Sequence, residues 1–128
     1  LKSTLDTAVK SGKDLLLIIE IRGALNIKEH YPDDTVVVFM TPPDSATLKK
    51  RLRGRGRMSA REESLRFETA RFEYGKLIEF ADLPGRIDYF VVNDDAGQTY
   101  EGLDSILKAE RQKLQRMEKN EIEKICRI

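Results

Sequence analysis

The chain has little of several things, and each scarcity narrows what it can be. It holds one cysteine, Cys126, among 128 residues, so no internal disulfide can form. A reducing, cytoplasmic setting is the simplest reading. It holds one histidine, His30, with no serine or cysteine nucleophile in sight of it and no Cys/His spacing of the zinc-binding kind. No apolar run approaches the ~20 residues a bilayer-crossing helix needs, and residues 1–12 are polar and amphipathic, without the apolar centre of a signal peptide. Neither sign of charge dominates: 23 Lys and Arg face 22 Asp and Glu, a net charge of +1. That near-balance argues against a nucleic-acid partner, for which a strong basic excess is usual. No GxxxxGKS or GxxxxGKT phosphate loop occurs, and no methionine stands at position 1, which is Leu1.

What is present is a chain of globular balance, 40% apolar and 35% charged, long enough for one domain and one core. Ser3 to Ser11 reads as a short helix. Asp14 to Ile21 (DLLLIIEI) is an apolar run broken only by Glu20, and Thr35 to Met40 (TVVVFM) is a second such run; both suit strands buried on two faces of a parallel sheet. Between them Gly23 to Tyr31 has helical spacing, and Pro32-Asp33-Asp34 is a turn. Asp44-Ser45 supplies capping side chains for a helix running into RLRGRG (Arg51 to Gly56). Glu62 to Phe80 is a long helical pattern ended by Leu83-Pro84-Gly85. Asp88 to Asn93 (DYFVVN) is a third strand, and Tyr100 to about Ile128 a final amphipathic helix. This alternation implies an α/β fold with a parallel sheet and helices on both faces. Ligands gather at the C-terminal ends of such strands, where Glu20, Thr41 and Asn93 fall.

Three features there could carry chemistry. Glu20 sits inside an apolar run, where an unpaired buried acid is costly; it either reaches solvent or pairs with an arginine such as Arg22, or it accepts hydrogen bonds from a ligand base or holds a metal-bound water. Arg51, Arg53, Arg55 and Arg57 cluster around Gly54 and Gly56, and Arg61, Arg66 and Arg71 follow. Guanidinium forks match phosphate oxygens and stay charged, and arginines on glycine-flanked segments suit phosphoryl transfer; a solvated basic face or an arginine-rich RNA binder are the alternatives. Asn93-Asp94-Asp95 is an ordinary turn former or an adenine-reading or metal-holding group.

In order and spacing these pieces resemble one family. SGKDLLLIIEIRGALNIK (Ser11 to Lys28) is similar to the guanylate kinase segment GKDVLLEIDVQGA, TPPDSATLKKRLRGRG (Thr41 to Gly56) to its PPS…LxxRLxxRG stretch, DYFVVNDD (Asp88 to Asp95) to its DYVVVND strand, and KAERQK (Lys108 to Lys113) to the IxAER of its last helix. The resemblance implies part of a P-loop-kinase three-layer α/β/α core with a parallel sheet plus a helical lid: core over residues 1–52, lid over 53–71, core again over 72–128. It implies phosphoryl transfer from ATP to GMP, giving ADP and GDP, with Mg2+ accompanying ATP. Arg51, Arg55 and Arg66 match the arginines on the transferring phosphates, Arg71 a further phosphate contact, Glu20 the acid that reads guanine, and Asn93 a group on the adenine side. A non-catalytic guanylate-kinase-like interaction domain is the alternative, but such domains tend to lose the lid arginines that are kept here.

The departures matter as much. Ile18 replaces the first acid of EIDVQG and cannot ligate a metal, Arg22 replaces its glutamine, and Phe80 to Arg86 is longer than usual. The family's phosphate loop, of the form GPSGxGK followed by Ser or Thr, and its GMP-binding segment precede the matched region and are not in these residues. The family's first strand lies between those matching Asp14–Ile21 and Thr35–Met40, so both would lose ladder partners. The expectation is therefore a longer protein, or a homo-oligomer or swapped assembly filling the gap, with no turnover by this piece alone and no nucleic-acid or membrane partner.

Overall fold

In a computed structural model of the chain, residues 1–54, 56 and 58–127 are described. They form helices α1 (Lys2–Ser11), α2 (Ile21–His30), α3 (Ser45–Arg53), α4 (Ala60–Phe80), α5 (Ala96–Arg111) and α6 (Lys119–Cys126), with strands β1 (Val38–Thr41) and β2 (Tyr89–Val92). The strands pair with each other. Asp88 and Tyr89 donate their N–H groups to Val37 O, and Asn93 donates to Thr41 O. Both strands thus advance in the same direction, and the pair is parallel, as the α/β alternation predicts.

The chain divides into two compact units, Leu1–Val38 with Ser64–Tyr89, and Phe39–Glu63 with Phe90–Ile128. In the first, α1 ends at Gly12, whose φ of 68° is the left-handed cap conformation that glycine adopts without penalty. Tyr31, at the end of α2, donates its hydroxyl to Asp6 of α1. Ile21 and Val37 are the buried apolar residues of this unit among those described. Beside Val37 lies a charged anchor: the Lys28 ammonium donates to Thr35 O at 2.6 Å and pairs with Asp88 Oδ2 at 3.2 Å, while Asp88 Oδ2 accepts the Val37 N–H at 2.7 Å. One carboxylate therefore ties the start of β1, the start of β2 and the end of α2 together.

A row of cations and rings runs along α4. The Arg22 guanidinium lies 4.2 Å from the Phe72 ring centre, Lys76 lies between Phe72 and Phe80, and Arg86 sits 5.8 Å from Phe80. Phe72, Lys76 and Phe80 are spaced by four residues, so one face of the helix carries all three. Each contact is a cation over an electron-rich ring.

In the second unit, α3 begins where Asp44 accepts the Thr47 N–H at 2.6 Å, and α5 where Asp95 accepts the Gln98 N–H at 3.0 Å. Both are N-caps of the ordinary kind. Gly54 ends α3 where a Cβ would meet Lys50 O at 2.9 Å, so the close approach itself calls for glycine.

Three sequence expectations are corrected. Residues 13–20 form no strand, and Ile18 is 94% exposed and Leu16 86%. A strand needs a ladder partner for its backbone groups, and this run has none among the described residues. The strand expected over Thr35–Met40 starts three residues later and ends one residue further on, as Val38–Thr41 beside Tyr89–Val92. The single last helix is broken into α5, a 3-10 turn (Leu114–Arg116) and α6. Glu110, 5% exposed, explains the break: it accepts Lys113 Nζ at 2.7 Å and Arg116 Nη2 at 3.0 Å, pulling the following chain back on itself.

Candidate functional site

The C-terminal ends of the parallel pair are where chemistry is expected, and the second unit shows what gathers there. From β1 the chain runs through Thr41, which is buried, and Pro42-Pro43 to the cap at Asp44. Seven residues on, two helical turns along α3, stands Arg51. Its Nη1 donates to the Asn93 carbonyl at 2.6 Å. Asn93 is the first residue after β2, and its own N–H is held by Thr41 O at 2.7 Å. The Asn93 side chain is held as well: the Thr99 hydroxyl donates to its Oδ1 at 3.0 Å and lies 2.9 Å from Asp95 O. Two of the residues singled out from sequence, Arg51 and Asn93, are thus joined directly. The Thr47 N–H, with Arg51 as a lesser contributor, holds the Asp44 carboxyl below the usual carboxylate range.

Arg55 lies outside the described residues. Arg53 is paired with Glu63 at 2.9 Å on an exposed surface. Arg66 and Arg71 are exposed on α4 in the first unit. Glu20, in that same unit, is exposed and is the N-cap residue of α2, with no side-chain capping bond. It does not pair with Arg22, whose guanidinium lies over Phe72 instead. Its neighbour is an acid: burial, and then the charge of Glu20, pushes the Glu73 carboxyl above the ordinary range. Among the described residues no three Asp, Glu, His or Cys side chains group to hold a metal ion.

The family model for guanylate kinase matches residues 1–110, which include Glu20, Arg51, Glu73, Asn93 and Thr99. The chain belongs to the guanylate kinase family. It is 42% identical over 106 residues to the guanylate kinase of Lactococcus lactis, covering 83% of this chain and 48% of that protein. With the Thermotoga maritima guanylate kinase it shares 34% identity over 116 residues, 91% of this chain and 52% of the relative. For the Syntrophotalea carbinolica guanylate kinase the figures are 38% over 108 residues, 84% and 48%. The chain spans about half the length of the curated relatives it matches.

Within this guanylate kinase segment, two residues escaped the sequence reading. Thr99 was passed over, one residue before the helix read from Tyr100, although the signal was there: it falls four residues after the Asp95 cap, where a hydroxyl can reach back to the cap carbonyl and its surroundings. Glu73 was hidden among the charges of α4. Its spacing of seven from Arg66 puts both on one face, two turns apart, but nothing local marks it as the partner of Glu20, more than fifty residues earlier.

Proposed function

We propose that the protein carrying this segment is a guanylate kinase that moves the γ-phosphoryl group of MgATP to the phosphate of GMP. A GMP phosphate oxygen bonds to the γ-phosphorus as the bond from that phosphorus to the β–γ bridging oxygen breaks, leaving ADP and GDP. Such a reaction asks the protein mainly for positioning and charge neutralisation. Arg51, Arg55 and Arg66 supply the neutralising charge, Arg71 a further phosphate contact. Glu20 accepts hydrogen bonds from guanine, and Asn93 stands on the adenine side. Residues 53–71 act as a lid that closes over the phosphates and excludes water. Mg2+ arrives as part of the ATP substrate.

The observation that carries this reading is the Arg51–Asn93 bond. It joins the Arg51 guanidinium to the main-chain carbonyl of Asn93 at the C-terminal end of β2, beside the capped starts of α3 and α5. No helix among the described residues is long and apolar enough to cross a membrane; a cytoplasmic enzyme of purine nucleotide metabolism fits this reading.

The test is a coupled assay of ADP and GDP formation by the complete protein. Arg51→Ala should lower kcat on the order of 10³-fold, the scale of an arginine that neutralises transferring phosphate. Unchanged turnover in Arg51→Ala would overturn the role given to Arg51. A wild-type protein that binds neither nucleotide in calorimetry would favour the interaction-domain alternative.

A further inference from the structure

The guanylate kinase reading uses Asn93 but says nothing of what sets its side chain. An asparagine amide has a donor end and an acceptor end, and a half-rotation exchanges them. An unrestrained Asn93 would offer a nucleotide base either end. Here the acceptor end of that amide is held: Oδ1 accepts the Thr99 hydroxyl at 3.0 Å. The main chain that carries it is fixed as well, its carbonyl accepting Arg51 Nη1 at 2.6 Å and its N–H donating to Thr41 O. Thr99 is itself buried, and its own N–H is bonded to Asp95 O at 2.9 Å. The hydroxyl therefore comes from a fixed point on α5 rather than from a mobile surface residue.

We propose that Thr99 is a positioning residue for the ATP side of the site: by holding Asn93 Oδ1 it turns the Asn93 amide nitrogen toward the nucleotide as a donor, and so favours a base that presents an acceptor there. This rests on the reading of Asn93 as an adenine-side residue. Adenine offers an unprotonated N1 on its Watson–Crick edge; hypoxanthine and guanine carry a proton on N1 and set donor against donor. A donor fixed at that edge accepts ATP and disfavours ITP. With Thr99 unable to hold the oxygen, the amide can present either end, and the discrimination narrows. The same bond steadies the backbone at Asn93, whose carbonyl holds Arg51.

Steady-state kinetics of the complete protein test this, with ATP and ITP as donors and GMP as acceptor. Thr99→Val removes the hydroxyl at nearly constant volume, Thr99→Ser restores it, and Asn93→Ala tests the underlying reading. We expect Thr99→Val to raise KM for ATP roughly 3- to 10-fold, the scale of one hydrogen bond. The ratio of kcat/KM for ATP over ITP should fall, KM for GMP should stay at the wild-type value, and Thr99→Ser should behave as wild type. If Asn93→Ala raises KM for ATP while Thr99→Val leaves both KM and the ATP/ITP ratio unchanged, Thr99 has no positioning role and the inference falls alone. If Asn93→Ala leaves KM for ATP untouched, the adenine-side reading falls and takes the inference with it. A Thr99→Val enzyme in which KM for ATP and for GMP rise together, with Thr99→Ser failing to rescue, would mark a general packing defect and overturn the inference too.

Discussion

At the scale of single residues, the titrating group with the clearest consequence is Glu73. Burial is the larger cause of its raised pKa and the neighbouring Glu20 the second, and both oppose its charge. The sign follows from proton counting. The folded chain holds the Glu73 proton to a higher pH than the unfolded chain does, so stability falls as pH rises from the ordinary carboxylate value through the raised one. Above that window the charge is a standing cost, and below it there is none. Glu73→Gln should therefore melt higher than the wild type at about pH 7 and gain nothing at about pH 3. Circular dichroism melts at the two values check it; an equal gain at both would mean that packing, not charge, is responsible. The group is only partly buried, so the effect will be modest and will shrink with salt as far as Glu20 contributes.

Among elements, the decisive one is the parallel pair, and its stability rests on Asp88. That carboxylate meets the Lys28 ammonium and the Val37 N–H at once, with Lys28 nearly buried. Removing one partner of a buried pair leaves the other uncompensated. Lys28→Met should cost roughly 3 kcal/mol in urea unfolding, whereas Lys28→Met combined with Asp88→Asn should cost less than the sum of the two. Strict additivity would argue that the two groups do not act as a unit.

This pair also shows what was legible beforehand. The α/β alternation, β1, β2 and the Asp44 cap could be read locally, because apolar runs and capping side chains are local signals. The Lys28–Asp88 anchor could not, since sixty residues separate its members. Asp14–Ile21 misled for the opposite reason. Its composition is that of a buried strand, but a strand exists only when another lies beside it, and no local pattern reports that. Arg51 and Asn93 were legible through family resemblance and Thr99 through its spacing from the Asp95 cap, while Glu73 meets Glu20 only because the fold brings them near.

On the scale of the whole molecule, the fold buries little. Ile21 and Val37 are the buried apolar residues among those described, while Leu16, Ile18, Phe90 and Ile125 stand largely exposed. Apolar surface left in water is a driving force for association, and Leu16 and Ile18, in residues 13–20, are the most exposed large apolar side chains among those described. The 128-residue chain should accordingly self-associate, with its weight-average mass in sedimentation rising over a concentration series. Leu16→Lys with Ile18→Lys should suppress that rise, because two charges at those positions repel a second copy and lower the apolar area together. Both side chains are largely exposed, so the double variant should keep the helical signal of the parent. If the variant associates as strongly as the parent, the contact lies elsewhere, and the exposed apolar side of β2, with Phe90 and Val92, becomes the surface to charge next.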